Sequence, residues 1–149
     1  PVYRFTHEEA SDRIQRSLLM WEDLSLDIEP IAVETAIIDP DPGYGGRLDM
    51  LCLLDGITTV LDIKTGMDYP DHVFQGSAYR HALIDDNAFP PPEQAVFVYL
   101  DADEDRNPSQ DGRVHAFKPD ELDLAFEEFK RKVAAFNKAR NHSTVDDFK

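Results

Sequence analysis

Cysteine and long apolar runs are scarce in this chain, and each shortage excludes a class of protein. The single cysteine, Cys52, excludes a disulfide within the chain, a four-cysteine zinc site and a four-cysteine iron–sulfur cluster. It lies in an apolar run and is expected to be an inert core thiol. No apolar run approaches the roughly 20 residues that span a bilayer, and no signal peptide is recognisable. We therefore expect an intracellular protein that does not bind a membrane.

Basic residues are also scarce. Lys and Arg number 15 against 30 Asp and Glu, which gives a formal net charge of −15. Such acidity disfavours binding a polyanion, so any nucleic-acid function must explain how the substrate approaches. With 149 residues, 42% of them hydrophobic, the chain is predicted to form a single globular domain over residues 1–149. It begins at Pro1 rather than Met, which leaves open a missing upstream segment.

A β-hairpin is the strongest local prediction. Asp55-Gly56 is a favoured type I′ turn pair, and it separates two apolar runs, Leu48–Leu54 and Ile57–Lys64. Apolar residues occur on both faces of the first run, so the hairpin is expected to be buried on both sides.

The register of this hairpin brings acidic residues together. If Leu54 pairs with Ile57, Asp49 falls opposite Asp62, and Arg47 falls opposite Lys64. Like charges directly opposed on a sheet are destabilising, and a divalent cation between them would relieve the repulsion. The alternative is an edge hairpin whose two aspartates point into water.

The remaining elements follow from periodicity, caps and breakers. Helices are predicted from a Thr6 cap to about Leu24, over Asp71 to about Ile84, and from Pro119 onward. Strands are predicted over Asp27–Ile38, Gln94–Leu100 and Arg113–Phe117, with loops at Asp39–Gly46 and Asp101–Asp111. This order indicates an α/β fold with a mixed central sheet flanked by helices.

Glu34 and the basic residues of the last helix each have two interpretations. Glu34 is either an outward-facing strand residue or a third carboxylate beside Asp49 and Asp62. The last helix carries the one basic cluster of the chain, which is either a solvated face or a phosphate-binding patch; its members are Lys130, Arg131, Lys132, Lys138 and Arg140.

Three motifs carry a resemblance to a known family. Gly46-Arg47-Leu48-Asp49, Asp62-Ile63-Lys64-Thr65-Gly66 and Gln75-Gly76-Ser77-Ala78-Tyr79 resemble the G-x-x-D, D-x-K-T-G and Q-x-x-x-Y motifs of the PD-(D/E)XK nuclease superfamily. The closer likeness is to its RecB-like exonuclease branch. The resemblance implies a restriction-endonuclease-like core and Mg²⁺- or Mn²⁺-dependent hydrolysis of DNA phosphodiester bonds.

The resemblance also implies roles for individual residues. Asp49, Asp62, the backbone carbonyl of Ile63 and Glu34 would bind the metal, and Lys64 would hold or activate the attacking water. Gln75 and Tyr79, with Arg47, would border the site and orient it or contact DNA. As an alternative, Lys64 only neutralises the two aspartates in a structural salt bridge.

The chain departs from the branch in two respects. The branch's upstream histidine motif is not found, which leaves three alternatives: a ligand before Pro1, substitution by His7, or a site without one. The iron–sulfur members use four cysteines, so likeness to Cas4-type proteins extends only to the nuclease core.

The function expected from the resemblance is DNA processing in recombination, repair or a phage life cycle, in the cytoplasm of a bacterial host. DNA is the expected partner, together with a helicase, a recombination protein or further copies of the chain. Two other classes stay open. They are a catalytically inactive nuclease-fold module for binding or assembly, and a phosphohydrolase of small nucleotides.

Overall fold

The structure is a computed structural model that describes residues 7–66, 68–100 and 113–146. It is an α/β arrangement in which three helices flank a five-stranded mixed sheet of order β1-β2-β3-β4-β5. The elements are α1 (His7–Leu24), β1 (Ile28–Asp39), β2 (Tyr44–Leu54), β3 (Ile57–Lys64), α2 (His72–Asp86), β4 (Gln94–Tyr99), β5 (Val114–Phe117) and α3 (Pro119–Asp146). The predicted order of elements is confirmed, while the Thr6 cap and the Asp101–Asp111 loop lie outside the described residues.

The Asp55-Gly56 turn fixes the β2–β3 hairpin as predicted. Both residues have positive φ, 49° and 81°, as a type I′ turn requires. Leu54 pairs with Ile57, and the antiparallel ladder continues in that register to Met50 opposite Leu61. β3 then pairs in parallel with β4 through the α2 crossover, and β5 closes the far edge antiparallel to β4.

The loop predicted for Asp39–Gly46 is confirmed for residues 40–43 and wrong for Asp39 and for residues 44–46. Only residues 40–43 form the turn, and β2 begins at Tyr44 and pairs with β1 from there. The glycine-rich composition predicted a loop here, but the segment pairs as a strand, and Gly45 lies close against the partner strand β1. A Cβ built on Gly45 would lie 3.3 Å from the carbonyl oxygen of Ile37.

The sheet has a hydrophobic core on each face, which confirms that the hairpin is buried on both sides. On one face α1 packs through Met20 and Leu24 against a core that includes Cys52. On the other face α2 and α3 cover a core that includes Leu51. Burial raises the pKa of the Cys52 thiol to about 11, so this thiol is inert at neutral pH.

The β1–β2 ladder is interrupted at Glu34 and Asp49. Val33 pairs with Met50 and Thr35 with Leu48 in one register, yet Glu34 and Asp49 between them are not Cα partners. Glu34 has φ of 51°, a left-handed conformation that costs a non-glycine residue about 1–2 kcal/mol. The candidate site lies at this interruption.

No helix in the described part of the chain has the length and apolarity needed to cross a membrane.

Candidate functional site

A buried carboxylate lies at the centre of the candidate site. Asp62 is on β3, the middle strand of the sheet, opposite Phe97 of β4, and only 3% of its surface is exposed. Burial raises the pKa of Asp62, and the negative charge of Asp49 acts in the same direction. Lys64 opposes this shift, because its Nζ lies 2.8 Å from Oδ2 of Asp62.

Asp49 lies one residue beyond the last pair of the β2–β3 ladder. Its Oδ2 accepts the backbone N–H of Ile63 at 2.9 Å, so a side chain replaces a strand partner where the ladder ends. Asp49 and Asp62 are not Cα partners in the ladder, yet the charge of Asp49 is close enough to raise the pKa of Asp62.

The predicted pairing of Arg47 with Lys64 is wrong, because the ladder stops before it reaches them. Arg47 instead pairs with Ala36 of β1, and Lys64 pairs with Tyr99 of β4. The β2–β3 ladder ends at Met50 and Leu61, so the register set by the turn does not extend to Arg47 and Lys64.

Lys64 and the Q-x-x-x-Y residues form one hydrogen-bonded chain. Lys64 Nζ donates to Oε1 of Gln75 at 2.8 Å, and Nε2 of Gln75 donates to the Tyr79 hydroxyl at 3.0 Å. The Tyr79 hydroxyl in turn donates to the carbonyl oxygen of Arg47 at 3.0 Å. Because Gln75 and Tyr79 lie four residues apart on α2, they share the face that meets the sheet. This series of hydrogen bonds thus links all three motifs found in the sequence.

Gly46 leaves room for the Tyr79 ring to lie against β2, where it completes this series of hydrogen bonds. A Cβ at Gly46 would lie 3.1 Å from Cε1 of Tyr79, so any larger residue would push the ring away. The glycine of the G-x-x-D motif is therefore explained by the approach of α2 to β2.

Glu34 is paired with Arg47 at the surface. Its carboxylate is exposed and lies 3.4 Å from Nη1 of Arg47. In the described part of the chain, one cluster of three metal-ligating side chains has its ligand atoms within 4.8 Å of one another, and it consists of Asp39, His81 and Asp85. Glu34, Asp49 and Asp62 do not form such a cluster. The structure therefore brings Asp49 and Asp62 together without a close third carboxylate, and the role of Glu34 as a ligand stays a prediction.

The backbone of Ile63 reaches the site through its N–H group, whereas its carbonyl as a metal ligand also stays a prediction. The His7 alternative falls on a side chain outside the described part of the chain.

Sequence reasoning missed a second polar network beside Lys64. His72, the first residue of α2, places Nδ1 2.8 Å from the Tyr99 hydroxyl, which donates to Oδ1 of Asp68 at 2.9 Å. Nδ1 of His115 lies 3.0 Å from Oδ2 of the same Asp68. Burial lowers the pKa of His72, and the Lys64 charge adds to the effect, so its imidazole is neutral at pH 7. Asp68 and His72 lie four residues apart, but the pairing of β4 with β3 and β5 is needed to bring Tyr99 and His115 to them.

A third cluster, also missed, joins the end of β1 to α2. Nδ1 of His81 lies 2.9 Å from Oδ2 of Asp39 and 3.4 Å from Oδ2 of Asp85. The signal available in the sequence was the spacing of His81 and Asp85, which puts both on one face of a helix. Asp39 comes from a distant part of the chain.

The residues at the central site fit a divalent cation. Oδ2 of Asp62 is buried, and its ion-pair partner is the Lys64 ammonium at 2.8 Å. One ammonium group does not neutralise two neighbouring carboxylates, so the pair keeps a negative charge that a divalent cation would offset. Asp49 supplies a second carboxylate, and Mg²⁺ typically takes one or two carboxylates with water and phosphate oxygens as its other ligands.

Comparison with known proteins gives no match, either to a family model or to a curated protein. The fold and the site together define an α/β protein with a paired-aspartate and lysine centre at the middle of a mixed sheet.

Proposed function

We propose that this protein is a metal-dependent deoxyribonuclease with a restriction-endonuclease-like core, of the RecB-like exonuclease type. The observation that carries the proposal is the buried Asp62, which is ion-paired with Lys64 at 2.8 Å and electrostatically coupled to Asp49. Two carboxylates and a lysine at one point of a sheet are the groups that phosphodiester hydrolysis needs.

The metal would be Mg²⁺ or Mn²⁺, held by Asp49 and Asp62, with the carbonyl of Ile63 and the carboxylate of Glu34 as further candidate ligands. When bound, the ion lowers the pKa of a coordinated water and offsets the negative charge of the reacting phosphate. Glu34 would have to leave Arg47 to take part, since the two now lie 3.4 Å apart.

Lys64 would hold the attacking water or a phosphate oxygen. Its ammonium is bound between Asp62 and Gln75, both at 2.8 Å, so its position is fixed before substrate arrives. Such preorganisation is the main source of electrostatic catalysis. The alternative, a purely structural salt bridge, predicts that Lys64→Met alters stability without altering the chemical step.

Gln75 and Tyr79 would orient the site rather than bind DNA directly. Their polar atoms are engaged with Lys64 and with the Arg47 carbonyl oxygen. The Arg47 guanidinium extends into solvent, with its side chain 65% exposed, and is the better candidate for contact with a phosphate.

The test is DNA degradation by the purified chain with Mn²⁺ and with Mg²⁺, on labelled single- and double-stranded DNA, with nucleoside triphosphates as a parallel substrate. We expect cleavage of DNA that EDTA abolishes and no turnover of nucleotides. Asp62→Ala should lower the rate at least about 100-fold, since one transition-state group is worth that much. Asp12→Ala, an exposed change on α1, is the matched control.

One observation favours a second candidate, an inactive nuclease-fold module for binding or assembly. The net charge of −15 opposes the approach of DNA. Retention of the fold without metal-dependent cleavage of any DNA form would favour this second candidate. Nucleotide turnover without DNA cleavage would instead favour a phosphohydrolase.

Within the nuclease proposal, a role in bacterial or phage recombination and repair follows from the resemblance alone. A helicase, a recombination protein or further copies of this chain would then supply the positive surface that the acidic chain needs to hold DNA.

A further inference from the structure

A second cluster of metal-ligating side chains lies where β1 ends against α2. It consists of Asp39 at the end of β1, and His81 and Asp85 on α2. Its three ligand atoms, one from each side chain, lie within 4.8 Å of one another, and none of the three residues belongs to the Asp49–Asp62 site.

Two of the three separations between these atoms are near those of a tetrahedral metal site. Zinc bonds to imidazole nitrogen and carboxylate oxygen of about 2.0–2.2 Å place neighbouring ligand atoms roughly 3.3 Å apart. The nitrogen–oxygen separations here are 2.9 Å to Asp39 and 3.4 Å to Asp85, which bracket that value.

The His81 ring is held in place by its surroundings. It stacks on Phe126 of α3 with ring centroids 3.8 Å apart and planes 14° from parallel. This contact aims Nδ1 at the two carboxylates, and a ring fixed in this way loses little freedom when it binds an ion.

The charge of the cluster favours a cation. Asp39 is 2% exposed, and its Oδ1 accepts the N–H of Asp41 at 3.2 Å. Its Oδ2 lies 2.9 Å from Nδ1 of His81 and accepts the Tyr44 hydroxyl at 3.3 Å, and Oδ2 of Asp85 lies 3.4 Å from the same Nδ1. Two carboxylates therefore face one imidazole, which leaves the cluster with excess negative charge.

We propose that Asp39, His81 and Asp85 bind a single Zn²⁺ ion, with water in the fourth position. One imidazole nitrogen and two carboxylate oxygens form a ligand set that zinc accepts, and the partial exposure of Asp85 gives the ion a route from solvent. The ion replaces the proton on Nδ1 and ties the end of β1 to α2. The proposal does not depend on the nuclease function, because its residues are different.

The test is Zn²⁺ binding to the EDTA-stripped full chain, by competition with a chromophoric chelator, together with the ¹⁵N shift of the His81 ring. The background is the Asp49→Asn, Asp62→Asn double variant, which removes the other carboxylate pair. We expect one equivalent of Zn²⁺ to bind, a change in the His81 Nδ1 signal, and a higher melting temperature with Zn²⁺ than with EDTA.

His81→Gln and Asp85→Asn should each weaken binding at least roughly tenfold, the scale that even outer-shell changes produce at metal sites. His115→Gln, which alters another histidine that contacts an aspartate, should leave binding unchanged. If His81→Gln does not fold, the half-exposed Asp85→Asn carries the test. The proposal is overturned if the double variant binds no Zn²⁺. It is also overturned if Zn²⁺ binds but Asp85→Asn does not weaken the binding and the His81 signal does not change. The cluster would then be an ion pair only.

Discussion

At the scale of single residues, Asp62 is a buried carboxylate whose ionised form costs stability. It lies on the middle strand, and burial raises its pKa although the Lys64 ammonium is 2.8 Å from its Oδ2. The native state would be more stable if this group were neutral, as is common where a site is built for a ligand that arrives later.

We therefore predict that Asp62→Asn stabilises the metal-free protein at pH 7 while it abolishes activity. A carboxyl group with a raised native pKa lowers stability as pH rises from its ordinary value of 3.8 through the native pKa. The gain should be about 0.5–2 kcal/mol in urea unfolding with EDTA at pH 7, and it should vanish below about pH 3.8.

Asp12→Asn is the matched control for this prediction, since Asp12 is exposed on α1 and should change stability by less than about 0.5 kcal/mol. A variant Asp62→Asn less stable than the parent at pH 7 would mean that the ion pair with Lys64 outweighs the cost of burial.

Gly46 gives a second prediction at this scale. Gly46→Ala places a methyl group 3.1 Å from the Tyr79 ring and should destabilise by about 1–3 kcal/mol, as overpacking does. Gly66→Ala is the control, because its Cβ would meet nothing within 4 Å. Equal urea midpoints for the two variants would show that Tyr79 does not pack against β2 as described.

At the scale of elements, the local sequence predicted the β2–β3 turn and the pairs next to it well, but it predicted the start of β2 poorly. Asp55-Gly56 can adopt positive φ at both turn positions, so the turn and the first five pairs follow from two residues. The start of β2 at Tyr44 could not be predicted in the same way. Gly45 and Gly46 are read as loop residues from composition, whereas packing against β1 and Tyr79 makes them strand residues.

The same difference between local and distant contacts decides which parts of the candidate site could be predicted. The Asp49–Asp62 juxtaposition follows from the turn, because hairpin register is local. The left-handed Glu34, and the His72 and His81 clusters, depend on contacts between residues distant in sequence. No periodicity or motif carries that information in a single chain.

The basic face of α3 yields a prediction for the element as a whole. Lys130 and Arg131 pair with glutamates of their own helix, Glu127 and Glu128, at 2.8 and 2.7 Å. We expect the Lys130→Gln, Arg131→Gln double variant to bind DNA with an unchanged salt dependence, measured by fluorescence anisotropy from 50 to 200 mM salt. A slope that falls by about one for each residue removed would instead place both side chains on phosphates.

At the scale of the whole molecule, the net charge of −15 and the central aspartate pair have to be reconciled. A divalent ion neutralises only two of these charges, so DNA held by this chain alone would be held weakly. If the chain is the nuclease that we propose, we expect it to act on DNA that a partner presents, with an activity that depends steeply on metal concentration.

Anomalous scattering from crystals of the full chain soaked in Mn²⁺ tests the central claim most directly. We predict a peak between the carboxylates of Asp49 and Asp62, within bonding distance of both, that is lost in Asp62→Asn crystals. Full Mn²⁺ occupancy elsewhere with no density between these two side chains would contradict it.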